Sequence, residues 1–302
     1  MWITLGILSS LFLGLYDLSK KHSLQDNAVL PVLFLSTLSG LIVVLPFLFV
    51  SRAAPSLLDD TILYIAPLSI KSHLIISAKS FIVAGSWVFG YYALKHLPIS
   101  IVAPIRATSP FWVLIGAVLI FGESPNLIQL SGVIIIIVSF YCFSVLGRLE
   151  GIHFEKNRWI IFTLIAMGLG ICSGLYDKYL ISRAGYSPIA VQLWFTFYMV
   201  LIFGLLNIFL WYPSRKQTTP FRWSISIVLI GVFLILADFA YFTSLSIEGS
   251  LLTILAALRR ASVLFVFTIG AIIFKEVNKG KKAYALIGVL AGVMLILFGS
   301  NG

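Results

Sequence analysis

Long apolar blocks separated by short polar breaks run the whole length of the chain. A bilayer span needs about 20 mostly apolar residues. Blocks of that order lie at Trp2–His22, Val29–Val50, His73–Lys95, Pro98–Phe121, Leu127–Gly147, Trp159–Ser182, Pro188–Tyr212, Trp223–Ile247, Ser250–Phe274 and Ala283–Gly299. The pattern predicts ten transmembrane helices and no sheet. The longest break, Ser51–Ser72, carries Asp59 and Asp60 and reads as an exposed loop or a surface-lying piece. A second break, Arg148–Arg158 (RLEGIHFEKNR), divides the pattern into five blocks on either side. Because five is odd, equivalent halves would lie in the membrane in opposite orientations.

Composition strengthens that picture. Hydrophobic residues make up 60% of the chain and charged ones 11%, too few to cover the exterior of a soluble protein of this size. The N-terminus, Met1-Trp2-Ile3-Thr4, has no basic segment, and the first block contains Asp17, so that block is expected to stay as a helix. A net charge of +10 could suggest nucleic acid. No phosphate loop, His-rich cluster or nucleotide fingerprint goes with it, and no nucleic acid, metal or cofactor is expected. Cys142 and Cys172 lie inside apolar blocks and read as packed thiols. Breaks after odd-numbered blocks, with the block ends that lead into them, hold thirteen Lys and Arg, against three for even-numbered ones. That bias alone would put the odd breaks in the cytoplasm and both termini outside.

The halves resemble each other. GLYD occurs at residues 14–17 and again at 174–177. A four-letter match alone carries little weight, but a second match follows in order. RATSPFWVLIGAVLIFGE (Arg106–Glu123) aligns without gaps to RRASVLFVFTIGAIIFKE (Arg259–Glu276), pairing Arg106 with Arg259, Ser109 with Ser262 and Glu123 with Glu276. Gly132 and Gly288 fall at corresponding places in the fifth and tenth blocks. The expected organisation is therefore two inverted five-helix repeats, residues 1–150 and 151–302.

These motifs carry a family resemblance. The small-residue first helix ending GLYDLSK, YYAL (Tyr91–Leu94) before a fourth helix with Pro110, and the closing Phe121-Gly122-Glu123 resemble the ten-helix EamA-like branch of the drug/metabolite transporter superfamily. The second half departs from the pattern: Val263 stands in place of the proline, Lys275 in place of the glycine, and Leu180 where the first half has Lys20. The resemblance implies helices one to four and six to nine around a central cavity, helices five and ten at the periphery, and movement of a small organic metabolite, often an amino acid or related solute. It also implies both termini inside, against the charge bias.

Ionisable groups inside the spans are the candidates for chemistry, because each costs about 2.5–3.5 kcal/mol at mid-helix unless a partner or a wet cavity offsets it. Arg106 and Arg259 are repeat-equivalent. Each offers a fork of donors suited to a carboxylate or phosphate. Two readings stand for them: substrate binding, or structural ion pairs with Asp17, Asp177 or another acid. Arg260 follows Arg259 and must point about 100° away. Asp238, deep in the eighth block, suits a proton carrier, or else bonds to Lys79 or a nearby hydroxyl. Asp17, Lys20, Lys79, Asp177 and Lys178 read as structural charge contacts. Trp87, Tyr91 and Tyr241 could line a pocket for an amphipathic solute, or simply pack. Pro98, Pro104 and Pro110 would bend the fourth helix, at a site or merely for packing. Glu123 and Glu276 fall at span ends, where capping or loop order is the expected role.

The expected function is secondary transport of small organic solutes by alternating access, with protons as a possible coupling ion and the lipid bilayer of the cell membrane as surroundings. The other classes considered are an intramembrane enzyme on a lipid-borne substrate and a non-transporting receptor or scaffold. His22, His73, His96 and His153 are scattered, and neither HExxH nor GxSxG appears.

Overall fold

The computed structural model describes residues 1–97, 102, 105–106, 108–145, 157–262 and 279–300. Among them are ten α-helices of nine or more residues and no strand. They are α1 (Trp2–Leu24), α2 (Val29–Ala53), α3 (Ile70–His96), α4 (Ser109–Phe121), α5 (Leu127–Val145), α6 (Arg158–Lys178), α7 (Pro188–Leu206), α8 (Ile225–Ser246), α9 (Leu252–Arg260) and α10 (Lys279–Ser300). Each predicted block thus has a helix within it. Six are long and apolar enough to cross a membrane: α1, α2, α3, α6 with its extension to Arg183, α7 with its extension to Ser214, and α8. Shorter apolar stretches are seen at Ser109–Phe121, Leu127–Ser139 and Ile287–Gly299. The expected bends at Pro98 and Pro104, the ninth block beyond Ser262 with Lys275 and Glu276, most of the central break, and the Cys142 side chain lie outside the described residues.

Two helices lengthen through a wider turn. α6 continues as a π turn at Tyr179–Arg183, and α7 as one at Asn207–Trp211 before a last helical turn at Tyr212–Ser214. The Ser51–Ser72 break is mostly exposed but pinned. Ile65, fully buried, donates its N–H to Ser51 Oγ, and its carbonyl accepts from Arg52.

The chain forms two compact units, and each draws on both halves of the sequence. The first is Met1–Gly85 with Tyr176–Glu248; the second is Ser86–Leu175 with Gly249–Gly302. In the first unit α8 is central, with α1, α2 and α7 packed on it and α2 packed on α7. α1 runs antiparallel to α8: Ser244 donates to the Trp2 carbonyl at one end, and His22 and Ser23 meet Ser226 at the other. α2 and α8 cross where only glycine fits. A Cβ on Gly231 would strike the Ser36 carbonyl and lie 2.7 Å from Gly40 N. Leu41, Val44, Ile189, Leu193 and Ile235 fill the space beside that crossing.

In the second unit α5 packs on α10, and α4 on α9. The α5–α10 crossing again rests on glycine, since a Cβ on Gly132 would sit 2.6 Å from the Gly292 carbonyl. Small residues let helix backbones approach closely in lipid, where apolar side chains gain little from leaving the solvent. Outward faces stay greasy: Leu119, Phe209 and Phe298 are all exposed. Cys172 departs from its predicted packing. It is exposed on α6, along the same outward stripe as Ile161 and Ile165, and a thiol behaves there as a small hydrophobe suited to lipid.

Candidate functional site

In the first unit a lysine lies where an apolar residue would be ordinary. Lys79, about a third of the way along α3, is only 2% exposed. Its Nζ donates to Asp177 Oδ1 at the end of α6, and the two form a buried ion pair. The ammonium also lies 4.2 Å from the Phe195 ring centroid of α7 and 5.0 Å from that of Phe242 of α8. Four helices therefore surround one cation, and the ring faces supply attraction without directional bonds. α3 is tied down around it: Tyr176 donates to the Ile75 carbonyl, Ser80 to the Phe195 carbonyl, and His73 Nδ1 lies 2.9 Å from Tyr198 Oη.

Asp238 is buried on α8, four residues before Phe242 and so on the same face of that helix. Tyr241 and Lys178 are buried as well. One turn before Phe195 on α7, Gln192 is 1% exposed, and its Oε1 has no hydrogen-bond partner among the described residues. The other GLYD aspartate behaves differently. Asp17 accepts from Lys20 at 2.6 Å, one turn further along α1, and Lys20 Nζ lies 4.4 Å from the Tyr16 ring centroid.

In the second unit Arg259 is half-buried at the end of α9, and Arg106 is half-buried just before α4. Arg106 has no hydrogen bond or ion pair among the described residues, which leaves its fork of donors available. Arg260 donates from Nε to Ser109 Oγ at 3.0 Å, tying α9 to the start of α4. Tyr91 is buried and Trp87 half-buried on α3. Glu123 does more than close its own helix. Gly122 ends α4 in the left-handed conformation (φ 67°), and the buried Glu123 carboxylate that follows accepts from Leu252 N, Thr253 N and Thr253 Oγ1. It caps α9, a helix from the other half of the sequence, where unpaired N–H groups favour an anion.

The structure thus brings Lys79 to Asp177 and Lys20 to Asp17, and puts Asp238 on the Phe242 face. The ring cage, the α9 cap and the Arg260–Ser109 bond were not foreseen. Their partners are far apart in sequence; for Glu123 the span-end position pointed to a capping role, but not to α9 as the helix it caps.

Residues 1–145, which carry GLYD, YYAL and Phe121-Gly122-Glu123, match the EamA-like transporter family. These residues belong to that family. With six helices long and apolar enough to cross a membrane, the chain is an integral, multi-pass membrane protein. A crystal structure of a protein shares the fold at a TM-score of 0.76 and 14% identity, over 99% of this chain and 98% of that one. At that identity the likeness is one of fold alone. No curated protein matches the chain in sequence.

Proposed function

We propose that this EamA-like protein is a secondary transporter of small organic solutes, amino acids or related metabolites, working by alternating access in a cell membrane. The observation that carries the proposal is the family match over residues 1–145. Helix pairing supports a further part of it, that residues 1–150 and 151–302 are inverted copies. α2 packs on α7, α4 on α9 and α5 on α10, joining helices five apart in order. α1 lies along α8, and its counterpart pair, α6 and α3, is joined by Tyr176–Ile75 and Ser86–Ala166 hydrogen bonds. Exchange of the two halves maps each of these pairs onto itself or onto another.

In this reading Arg106 or Arg259 holds an anionic group of the solute, Trp87, Tyr91 and Tyr241 shape its pocket, and Asp238 is a coupling carboxylate for protons. Asp17, Lys20 and Lys178 serve as structural contacts. Coupling requires that binding differ between the inward and outward states.

The test is flux in proteoliposomes, with solutes chosen by thermal shift from amino acids, nucleosides and sugars, since ligands of the native state raise its apparent stability. Arg106→Ala and Asp238→Asn, with folding retained, should each lower flux by about ten-fold or more, a loss of roughly 1.4 kcal/mol of interaction. Full activity in both variants would remove this site assignment.

A further inference from the structure

A buried ion pair is a weak device for stability, because well-packed apolar residues often serve as well or better. Lys79 and Asp177 nevertheless meet inside the first unit, under two aromatic rings. We propose that this pair is the seat of the driving proton, and that Lys79 is a moving internal counter-ion which passes from Asp177 to Asp238 when Asp177 is protonated. The inference rests on the transporter reading above but moves the proton from Asp238 to Asp177, leaving Asp238 in coupling as the carboxylate that receives Lys79.

The geometry supplies two stations and a path. Asp177 holds the ammonium from α6. Phe242 of α8 lies over the same ammonium, 5.0 Å from Nζ to its ring centroid, and the buried Asp238 is four residues before it on the same face of α8. A ring face holds a cation without fixing its direction, so Phe195 and Phe242 keep the ammonium attended as it shifts. The step balances simply. A proton delivered by hydronium, which is left as water, bonds to the Asp177 carboxylate and makes it a carboxylic acid, and the site gains one positive charge. No bond to Lys79 nitrogen breaks. The ammonium leaves its neutralised partner and forms a charge-assisted hydrogen bond to the Asp238 carboxylate, which restores a local pair. Loss of the proton from Asp177 reverses the sequence. Because Lys79 belongs to α3, Asp177 to α6 and Asp238 to α8, the exchange ties α3 to different helices in its two states, which is a bistable element of the kind that switches use.

The surrounding groups permit it. From α6 the titratable neighbours are Tyr176, whose hydroxyl is held by the Ile75 carbonyl, and Lys178, about 100° round the helix from Asp177. α7 brings no ionisable group to the ammonium, only Phe195 and, a turn away, the amide of Gln192. α8 brings Asp238 and Tyr241. α3 itself adds His73, already placed against Tyr198. The Asp17–Lys20 pair differs, since both partners are on one helix and moving that ammonium would not by itself exchange one helix partner for another.

Two measurements on the full chain test the proposal. Infrared difference spectra of the protein in lipid nanodiscs, taken across an acid step, should show a buried carboxyl gaining a proton. That band should vanish in Asp177→Asn and persist in Asp17→Asn. A band of full size in Asp177→Asn overturns the proposal, whatever the solute. The second measurement uses a solute that wild type accumulates under a pH gradient in proteoliposomes. The neutral double variant Lys79→Gln with Asp177→Asn, which leaves no lone buried charge to unfold it, should lose gradient-driven accumulation by on the order of ten-fold or more, a usual coupling factor, while solute–solute exchange stays within roughly two-fold. Accumulation by the double variant equal to wild type reduces the pair to a structural contact and overturns the proposal. Failure of wild type to move any solute of the panel would instead defeat the transporter reading, and the infrared result would still decide where the proton binds.

Discussion

The tetrapeptide GLYD occurs twice, and both aspartates belong to the first compact unit. Their surroundings differ. Asp17 finds Lys20 one turn along its own helix, and its side chain is 38% exposed. Asp177 is 8% exposed and meets Lys79 of another helix. Where the first copy has Lys20 the second has Leu180, fully buried, within the π turn Tyr179–Arg183. The tyrosines differ too: the Tyr16 ring lies under Lys20, while the Tyr176 hydroxyl reaches across to the Ile75 carbonyl. Identical letters therefore specify an acid and its small, closely packed approach, and no more. The residue three positions on decides whether that acid is satisfied locally or must recruit a neighbouring helix.

The largest expected effect separates the two copies by energy. Lys79→Met alone strands a buried carboxylate and should destabilise the protein by about 3–5 kcal/mol, Asp177→Leu alone less because Lys79 can pass to Asp238, whereas the two together should be near wild type or better. Denaturant unfolding in mild detergent measures this. A loss of less than about 1 kcal/mol in Lys79→Met would mean that water already reaches the second aspartate and that the contrast between copies is shallow.

A second experiment tries to turn one copy into the other. Leu180→Lys, introduced into the Lys79→Met protein, gives Asp177 a lysine three residues on, as Asp17 has. In α1 that spacing places the partners on one face. In the second copy the residue falls inside a π turn, whose i→i+5 bonding widens the helix and rotates position 180 away from Asp177. The added lysine should therefore recover less than about 1 kcal/mol of the loss left by a lone buried carboxylate. Full recovery would show that the π turn plays no part in choosing the partner.

Much of this architecture is readable from sequence, because lipid leaves a spanning chain few alternatives to helix. Each apolar block holds a helix, and the odd count of blocks per half is what suggests inversion. The site is less legible. Lys79 stands out as a charge in an apolar block, but it could have served Asp238 as readily as Asp177. The choice depends on α3 lying along α6, which no local pattern records. Glu123 reads as a span-end residue; its targets, Leu252 and Thr253, are 129 and 130 positions away. The π turns leave no trace, since one residue more or less per turn does not alter an apolar block.

The smallest effect belongs to the first copy. A double-mutant cycle over Asp17→Ala and Lys20→Ala should give a coupling energy below about 1 kcal/mol, falling as salt is raised. Two physical terms keep it small. The carboxylate is partly exposed, so water replaces most of what the ammonium supplies, and the pair lies within one helix, so the bond between them joins no two helices. Lys20 alone should cost more than Asp17 alone, because its buried stem and its contact with Tyr16 go with it, but that excess cancels in the cycle. A coupling of about 3 kcal/mol, as expected across α3 and α6, would erase the difference between the copies. The partner's helix would then be irrelevant, and burial of the lysine alone would set the strength of both pairs.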